Sequence, residues 1–427
     1  MKPPSVFLIP LASPIHEDRA AKRVVKAREL LAAGGVKVFG PLKPVCSPSE
    51  FPSFNPEEYD AIAVFVASGG TSSLAATLVQ GKPWTLWAYH ENNSLPSALS
   101  AREKLEAKGL WRGKLYYGEL SQPPGVILAE AWASALLKSF QTSTFLLVAE
   151  EERLKSFSSR VEEVSRIFGF KALFYPSERL VEAARRFPPE EAARVFKERL
   201  GRAELTGVTF KEVDNPLRLY LALASLVREM NAEAVTVDCF RFIVKNGFTP
   251  CLALALLSGD GIPSLCEADL ASLPLLLALT RLSNKPAWLA NLARVDQARG
   301  VITLAHCTAP LELAKQGELV KLKSHFETDA GVSLDVPLAE GAVTLAHLTL
   351  KPLKLFAASG EIVRSQLEDW GLCRTQVEVK LNGEVLRLLK ATGNHHVVAY
   401  GNHVEALIRL GERVGAEVIM FKGGKDL

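Results

Sequence analysis

From Ser5 the chain alternates short, uniformly apolar runs with longer amphipathic ones: VFLIP, DRAAKRVVKARELLAAG, VKVFG, AIAVFVA, SSLAATLVQG, TLWAY, SLPSALSAREKLEAKG. Short β-type runs separated by helix-period segments predict a parallel sheet with helices on both faces. This first domain is expected over residues 1–140. A second series starts with TFLLVAE, continues through a helical stretch at 151–168, KALFYP and two or three helices to Met230, and reaches AVTVDCF at 234–240. It predicts a second α/β domain over 141–310. After Pro310 the texture changes: KLKSHFETD, GVSLDVPLAEGAVTLAHLTL, KLFAASGEIV and TQVEVKLNGEVLRLLKATG alternate with period two, and one pair of runs meets at Asn382-Gly383, a dipeptide favoured in two-residue hairpin turns. A mainly antiparallel β domain is therefore expected over 311–427, closed by a helix near 403–414, the strand AEVIMF and a frayed KGGKDL tail. The fold class that follows is α/β: two doubly wound parallel-sheet domains, then a mainly antiparallel β C-terminal domain.

Composition narrows the partners. At 427 residues, with 48% hydrophobic and 23% charged residues, the chain has the usage of a folded multidomain protein. A net charge of +3 without a concentrated basic tract argues against nucleic acid and for a small-molecule partner. The apolar part of MKPPSVFLIPLASPIHEDR is short and runs into charges, so neither a signal peptide nor a membrane span is expected, and a cytoplasmic location is. Six cysteines without CxxC spacing do not build a zinc cage and read as buried thiols. Three Met and many Arg, Glu and Leu lean toward a thermophilic source.

Three places carry candidate chemistry. The strand AIAVFVA runs into Ser68, Gly69, Gly70, Thr71 and Ser72 and then a helix, where open α/β sheets bind anionic or polyol ligands; helix capping accounts for the same residues. No GxGxxG or P-loop motif is present. His90, Glu91, Asn92 and Asn93 leave the strand TLWAY at the equivalent end, with more polar groups than a cap needs. Between Cys239 and Pro310 the sequence is strongly apolar, yet Glu267 and Asp269 open a greasy helix beside Cys266, and His306-Cys307 closes a strand-like run. Buried without partners such groups would cost several kcal/mol, so either they satisfy one another or they hold a metal. The pair His395-His396 enters another apolar run, and a carboxylate with neutral imidazoles suits Mn²⁺, Fe²⁺, Co²⁺ or Zn²⁺.

These segments also resemble a known family. CLALALLSGDGIPSLCEADL, LAHCTAP, SHFETDAGVSLD, GNHHVVAYG and the earlier NNSLPSALSAREKLEAKG, in that order over nearly the whole chain, are similar to the L-fucose isomerase and L-arabinose isomerase superfamily, most closely its shorter fucose-isomerase-like members. The resemblance implies a divalent metal, often Mn²⁺, a sugar substrate and a homo-oligomer, a trimer or hexamer, with active sites near subunit contacts. It implies that the metal holds two sugar oxygens while carboxylates move a proton between C1 and C2 through an ene-diol. On this mapping Glu267 matches the first acidic ligand and base, His396 matches the late histidine of GNHH, and His325 resembles a histidine used by the arabinose branch. The second acidic ligand of the fucose branch falls on Asn291, in WLANLARVD. An Asn cannot act as a general base. Asp296 is the alternative for that place, or His306 takes the coordination site; His306 and His396 are expected ligands beside Glu267, with Asp269, Asn291 or Asp296 completing the site and Asn291 also expected to contact the sugar. Ser68, Gly69, Gly70, Thr71, Asn92 and Asn93 are expected to hold sugar hydroxyls. The rival expectation is a sugar-binding or regulatory homologue that has lost catalysis.

Overall fold

In a computed structural model of the protein, residues 1–383 and 385–421 are described. The KGGKDL tail lies outside them. The chain divides into two compact units, Met1–Leu136 and Leu137–Leu427.

The first unit is a five-stranded parallel sheet in the spatial order Lys37–Phe39, Ser5–Leu11, Ala61–Val66, Thr85–Ala88, Lys114–Tyr117. Its central strands are apolar at nearly every position because both faces are covered. Phe7, Ile9, Ile62 and Val64 pack on one side, and Val6, Leu8, Ala63 and Phe65 on the other. The strand order reverses between Ser5–Leu11 and Ala61–Val66, which opens a crevice beyond their carboxyl ends.

The second unit contains two larger sheets. One is parallel, in the order Ser264–Leu265, Ala234–Val237, Thr144–Ala149, Lys171–Pro176. In the other, Gly341–Thr349, His395–Tyr400, Trp288–Asp296, Val301–His306, Thr375–Leu381 and Lys354–Ser365 are antiparallel neighbours, and a further pairing of Lys354–Ser365 with Gly341–Thr349 closes them into a six-stranded barrel. Closure removes the exposed edges. Glu417–Phe421 adds to this sheet in parallel. The strands Trp288–Asp296 and Val301–His306 thus share a sheet with strands that follow residue 340. The α/β class with an antiparallel C-terminal part is the fold observed.

One local expectation fails. Asn382-Gly383 turns no hairpin; the strand Thr375–Leu381 is followed by the helix Val385–Ala391. Val385 and Leu388 are buried three residues apart, so the segment's apolar spacing is that of a helix, and burial of that face overrides the turn propensity of the dipeptide.

Candidate functional site

The parallel sheet of the second unit ends at Ser264–Leu265, and the chain then turns through Cys266–Leu270 into the helix Ser272–Ser283, which packs against the barrel strand His395–Tyr400. Glu267 and Ala268 both adopt left-handed backbone, with φ of 64° and 49°. For residues with a Cβ this conformation costs roughly 1–2 kcal/mol each, and strain of this kind collects where a turn must aim a side chain. The turn aims Glu267 at the barrel. Its Oε1 lies 3.5 Å from His306 Nε2 and its Oε2 lies 3.2 Å from His395 Nε2.

Asp269 does two jobs. Its Oδ1 accepts the backbone N–H groups of Ala271 and Ser272 at 3.0 and 3.2 Å, closing the helix start, while Oδ2 receives His395 Nδ1 at 2.8 Å. The sequence therefore folds into a carboxylate, imidazole, carboxylate series: Asp269, His395, Glu267.

The ionisation states follow from this arrangement. Burial alone would raise the Glu267 carboxyl, but His306 and His395 outweigh it and hold it well below the usual carboxylate range. Asp269 is likewise held down against burial, chiefly by His395. Burial would lower His395, yet the two carboxylates push it up to about 10. Protonated, it is a cation between two anions. His306, 3% exposed, accepts the Cys307 backbone N–H on Nδ1 at 2.9 Å, which assigns its proton to Nε2, the nitrogen facing Glu267.

The thiols gather at the same place. Cys266 Sγ is 3.8 Å from the His306 ring nitrogens. Cys307 is in hydrogen-bond contact with Cys251 and Cys373, which lower it while their own values rise, and Cys266 is in contact with Cys239. Five of the six cysteines, which the sequence presented as scattered buried thiols, thus line one region.

Could these residues hold a divalent cation? Donor atoms of Cys266, Glu267 and His306 lie within 4.8 Å of one another. Of the imidazoles, His395 fits the role better. Its Nδ1 is fixed by Asp269, and its buried Nε2 has no aligned hydrogen-bond partner although it sits beside Glu267. A carboxylate on the remote nitrogen is the usual arrangement behind a metal-bound histidine. His306, whose Nδ1 accepts a backbone N–H, presents a proton rather than a lone pair. The residues fit a divalent cation held by Glu267 and His395 Nε2, which carries either a proton shared with Glu267 or the metal in its place.

The other expected site residues are placed as follows. His396 points the opposite way from His395, as strand alternation requires. It is fully buried, bonded to Asn394 O and Thr392 Oγ1 at 3.0 and 3.1 Å and packed on Phe356 and His347. Burial first, and His347 second, push it down to about 4. The structure brings His395 to Glu267, and it does not bring His396. Asn291 pairs across the sheet with both His395 and Ala305, and its Oδ1 accepts the Asn394 amide at 2.9 Å. Asp296 lies five residues further along that strand, roughly 16 Å away at the strand rise, where it accepts the Arg299 N–H at 3.0 Å and lines a surface cleft with Arg294, Arg364 and Glu378. His325 bonds Thr328 Oγ1 at 3.1 Å and acts electrostatically on Cys307.

In the first unit, a cleft of about 210 Å³ at the strand-order reversal is lined by His16, Arg19, Ser68, Asn92 and Asn93. Most polar groups there are engaged in the loops themselves. Ser68 Oγ accepts the Ser13 N–H at 2.9 Å, Thr71 Oγ1 donates to Ser68 O at 2.9 Å, and the Asn92 amide donates to the Tyr89 hydroxyl at 2.7 Å. Gly69 is required by close approach: a Cβ there would stand 2.7 Å from Asn93 Cβ. Gly70, with φ of 76°, completes the turn.

No family model matches the chain. Among curated proteins it is similar to the sulfoquinovose isomerase of Clostridium sp. (strain MSTE9), 23% identical over 367 residues that cover 80% of this chain and 81% of that protein. It is also similar to the sulfoquinovose isomerases of Priestia aryabhattai and Priestia megaterium, 25% identical over 205 residues, 46% of this chain and 45% of theirs. The likeness to the Clostridium enzyme thus extends along most of both sequences.

Proposed function

We propose that this protein is a sugar isomerase interconverting an aldose and a ketose, with a divalent cation held by Glu267 and His395. The observation that carries the reading is the Asp269, His395, Glu267 series with His306 against it, in a chain similar over most of its length to a sulfoquinovose isomerase. The bound cation would polarise the sugar carbonyl and stabilise charge on the neighbouring oxygens.

The remaining steps belong to side chains. Proton transfer between C1 and C2 needs an acceptor at the carbon-bound proton and a donor at the carbonyl oxygen. His306 Nε2–H, facing the same space as the Glu267 carboxylate, supplies the donor. Glu267 is ionised and acceptor-only, but the lowered pKa of its carboxyl makes it a weak base as it stands. It becomes a competent acceptor when an entering sugar displaces one of its histidine contacts. Asp269 orients His395 and takes no proton itself, since its second oxygen caps a helix. Asn291, with its oxygen engaged by Asn394, offers its amide as a donor to a sugar hydroxyl.

The decisive experiment incubates the protein with Mn²⁺ and sulfoquinovose in D₂O and follows ketose formation and loss of the C2 proton by NMR. Glu267→Gln is expected to lower turnover at least about 10³-fold, the scale of an essential charged group, and to lose bound metal by elemental analysis. A folded Glu267→Gln protein with full turnover would sink the assignment. Binding of the sugar without any exchange would favour a sugar-binding homologue instead.

A further inference from the structure

Three thiols of the second unit form a chain of contacts that leads inward from the surface. Cys373 is half-buried, whereas Cys307 and Cys251 are each 2% exposed, and all three are free. Cys307 is the middle member. Hydrogen bonds from Cys251 and Cys373 hold it below the ordinary thiol range against the effect of burial, with smaller contributions from His306 and His325. An isolated thiol buried among apolar groups is inert. Here the inner thiol touches a second one that stands nearer to solvent, which is the arrangement in which an oxidised sulfur finds a resolving partner.

The backbone fixes the outer pair. His306, the residue before Cys307, pairs across the barrel with Thr375, two residues after Cys373. On the other side Gln376 Nε2 donates to the Cys373 carbonyl at 3.0 Å, and the next residue, Arg374, donates from Nε to the Ser324 carbonyl at 2.8 Å. Both sulfurs are therefore carried on bonded chain, and they already meet.

We propose that Cys373 and Cys307 form a site of reversible oxidation, closed into a disulfide when the protein meets a hydroperoxide. The Cys373 sulfur, nearer to solvent, attacks the terminal peroxide oxygen. The O–O bond breaks, and the departing alkoxide or hydroxide takes up the Cys373 thiol proton. The Cys307 sulfur then attacks the resulting sulfenic acid, the S–S bond forms, and the expelled hydroxide takes up the Cys307 thiol proton. Two thiols are oxidised by two electrons, and one hydroperoxide is reduced to an alcohol and a water, or to two waters when it is hydrogen peroxide.

Oxidation reaches the candidate centre through one bond. The Cys307 backbone N–H donates to His306 Nδ1 at 2.9 Å, which directs the His306 proton toward Glu267. Closing the disulfide draws Cys307 toward Cys373 and disturbs that bond. The oxidised protein is expected to lose turnover while Glu267 and His395 keep their cation. This consequence rests on the proposed isomerase reading, whereas the disulfide itself does not.

The test exposes the full chain to graded hydrogen peroxide, alkylates the remaining thiols in urea, and maps unreduced peptides by mass spectrometry. Cys46 is the internal reference: it is also half-buried, and the groups acting on it are the carboxylates of Glu17 and Glu50 rather than thiols. The expected result is a linked Cys307–Cys373 peptide, formed about tenfold faster than Cys46 is lost, and reversed by dithiothreitol. Cys373→Ser is expected to leave Cys307 reduced at peroxide levels that link the wild type, with basal turnover unchanged, and Cys251→Ser to keep the link. The wild-type map decides even if a variant fails to fold. Cys307 and Cys373 both remaining free when Cys46 is oxidised, or a Cys251–Cys307 link in their place, would overturn the proposal. A disulfide that leaves turnover undiminished would overturn the coupling through His306. A reversible Cys307–Cys373 disulfide in a protein that isomerises no sugar would leave the oxidation site standing while the isomerase reading fell.

Discussion

The first unit's crevice and the second unit's turn at Glu267 both lie beyond the carboxyl ends of parallel strands, yet their polar groups are engaged in opposite ways. In the crevice, neutral side chains largely satisfy the loops: Ser68 bonds Ser13, Thr71 bonds Ser68, and Asn92 bonds Tyr89. At the turn, charged side chains satisfy one another: Asp269 bonds His395, and His395 and His306 face Glu267. Neutral groups tied to backbone build shape. Buried charges that neutralise each other hold protons whose positions an entering ligand can change, which is why displaced ionisation clusters at functional sites. Hydrogen bonds within the loops give the crevice its shape, whereas the turn gathers the groups suited to proton chemistry.

The largest expected effect comes from breaking the charge series. His395→Gln leaves Glu267 and Asp269 facing each other across a partly buried space without their cation. In metal-stripped protein at pH 8 this is expected to cost about 3 kcal/mol in urea unfolding, the scale for orphaning buried charge. The sign with pH is specific. In the wild type, His395 is raised to about 10, so its contribution is complete below the unfolded histidine value and is lost as pH climbs through 10. In the variant, the two acids rise above their unfolded values, so stability recovers as pH falls and they protonate. The gap between the two proteins should therefore shrink below about pH 6.5, where the wild-type histidine contribution is already complete, down toward pH 5. A gap that ignores pH would show that the charges do not compensate one another.

A second test uses the adjacent histidine, which takes no part in that series. His396 is buried neutral and lowered to about 4, so the unfolded chain binds its proton first. Stability is then lost as pH falls from the unfolded value near 6.5 toward 4, by up to roughly 3 kcal/mol at 1.36 kcal/mol per unit. His396→Leu should flatten the acid side of the wild-type curve in urea titrations while retaining bound Mn²⁺. Loss of the metal in this variant would place His396 at the centre after all.

These two histidines also mark how far the sequence could be read. The alternation of apolar runs announced both parallel sheets, because strands buried on two faces leave a strong signal. Glu267 stood out because a carboxylate in apolar sequence needs a partner. Which member of His395-His396 meets it depends on strand register, since one residue of slip exchanges the two faces, and register here is fixed by pairing with Trp288–Asp296, about a hundred residues earlier. The converging thiols carry no local pattern at all. Cys307 and Cys373, far apart in sequence, meet where Val301–His306 pairs with Thr375–Leu381. The helix Val385–Ala391 was hidden for a different reason, because a strong turn dipeptide stood in front of it.

The smallest expected effect probes the crevice. Gly69→Ala would place a methyl 2.7 Å from Asn93 Cβ and 3.3 Å from Asn92 O, both held close to the backbone, so the loop must shift rather than a side chain rotate. The shift would strain the 2.6 Å bond from Gly69 N–H to Asn92 O, which ties the two loops together. Overpacking of this kind costs about 1–2 kcal/mol. The expected outcome is a lower melting temperature with metal content unchanged, because the centre at Glu267 is built entirely from side chains of the second unit. If this substitution abolished the proposed Mn²⁺ uptake instead, the crevice would be a determinant of the charged centre, and the division between a shape-giving region and a chemical one would have to be abandoned.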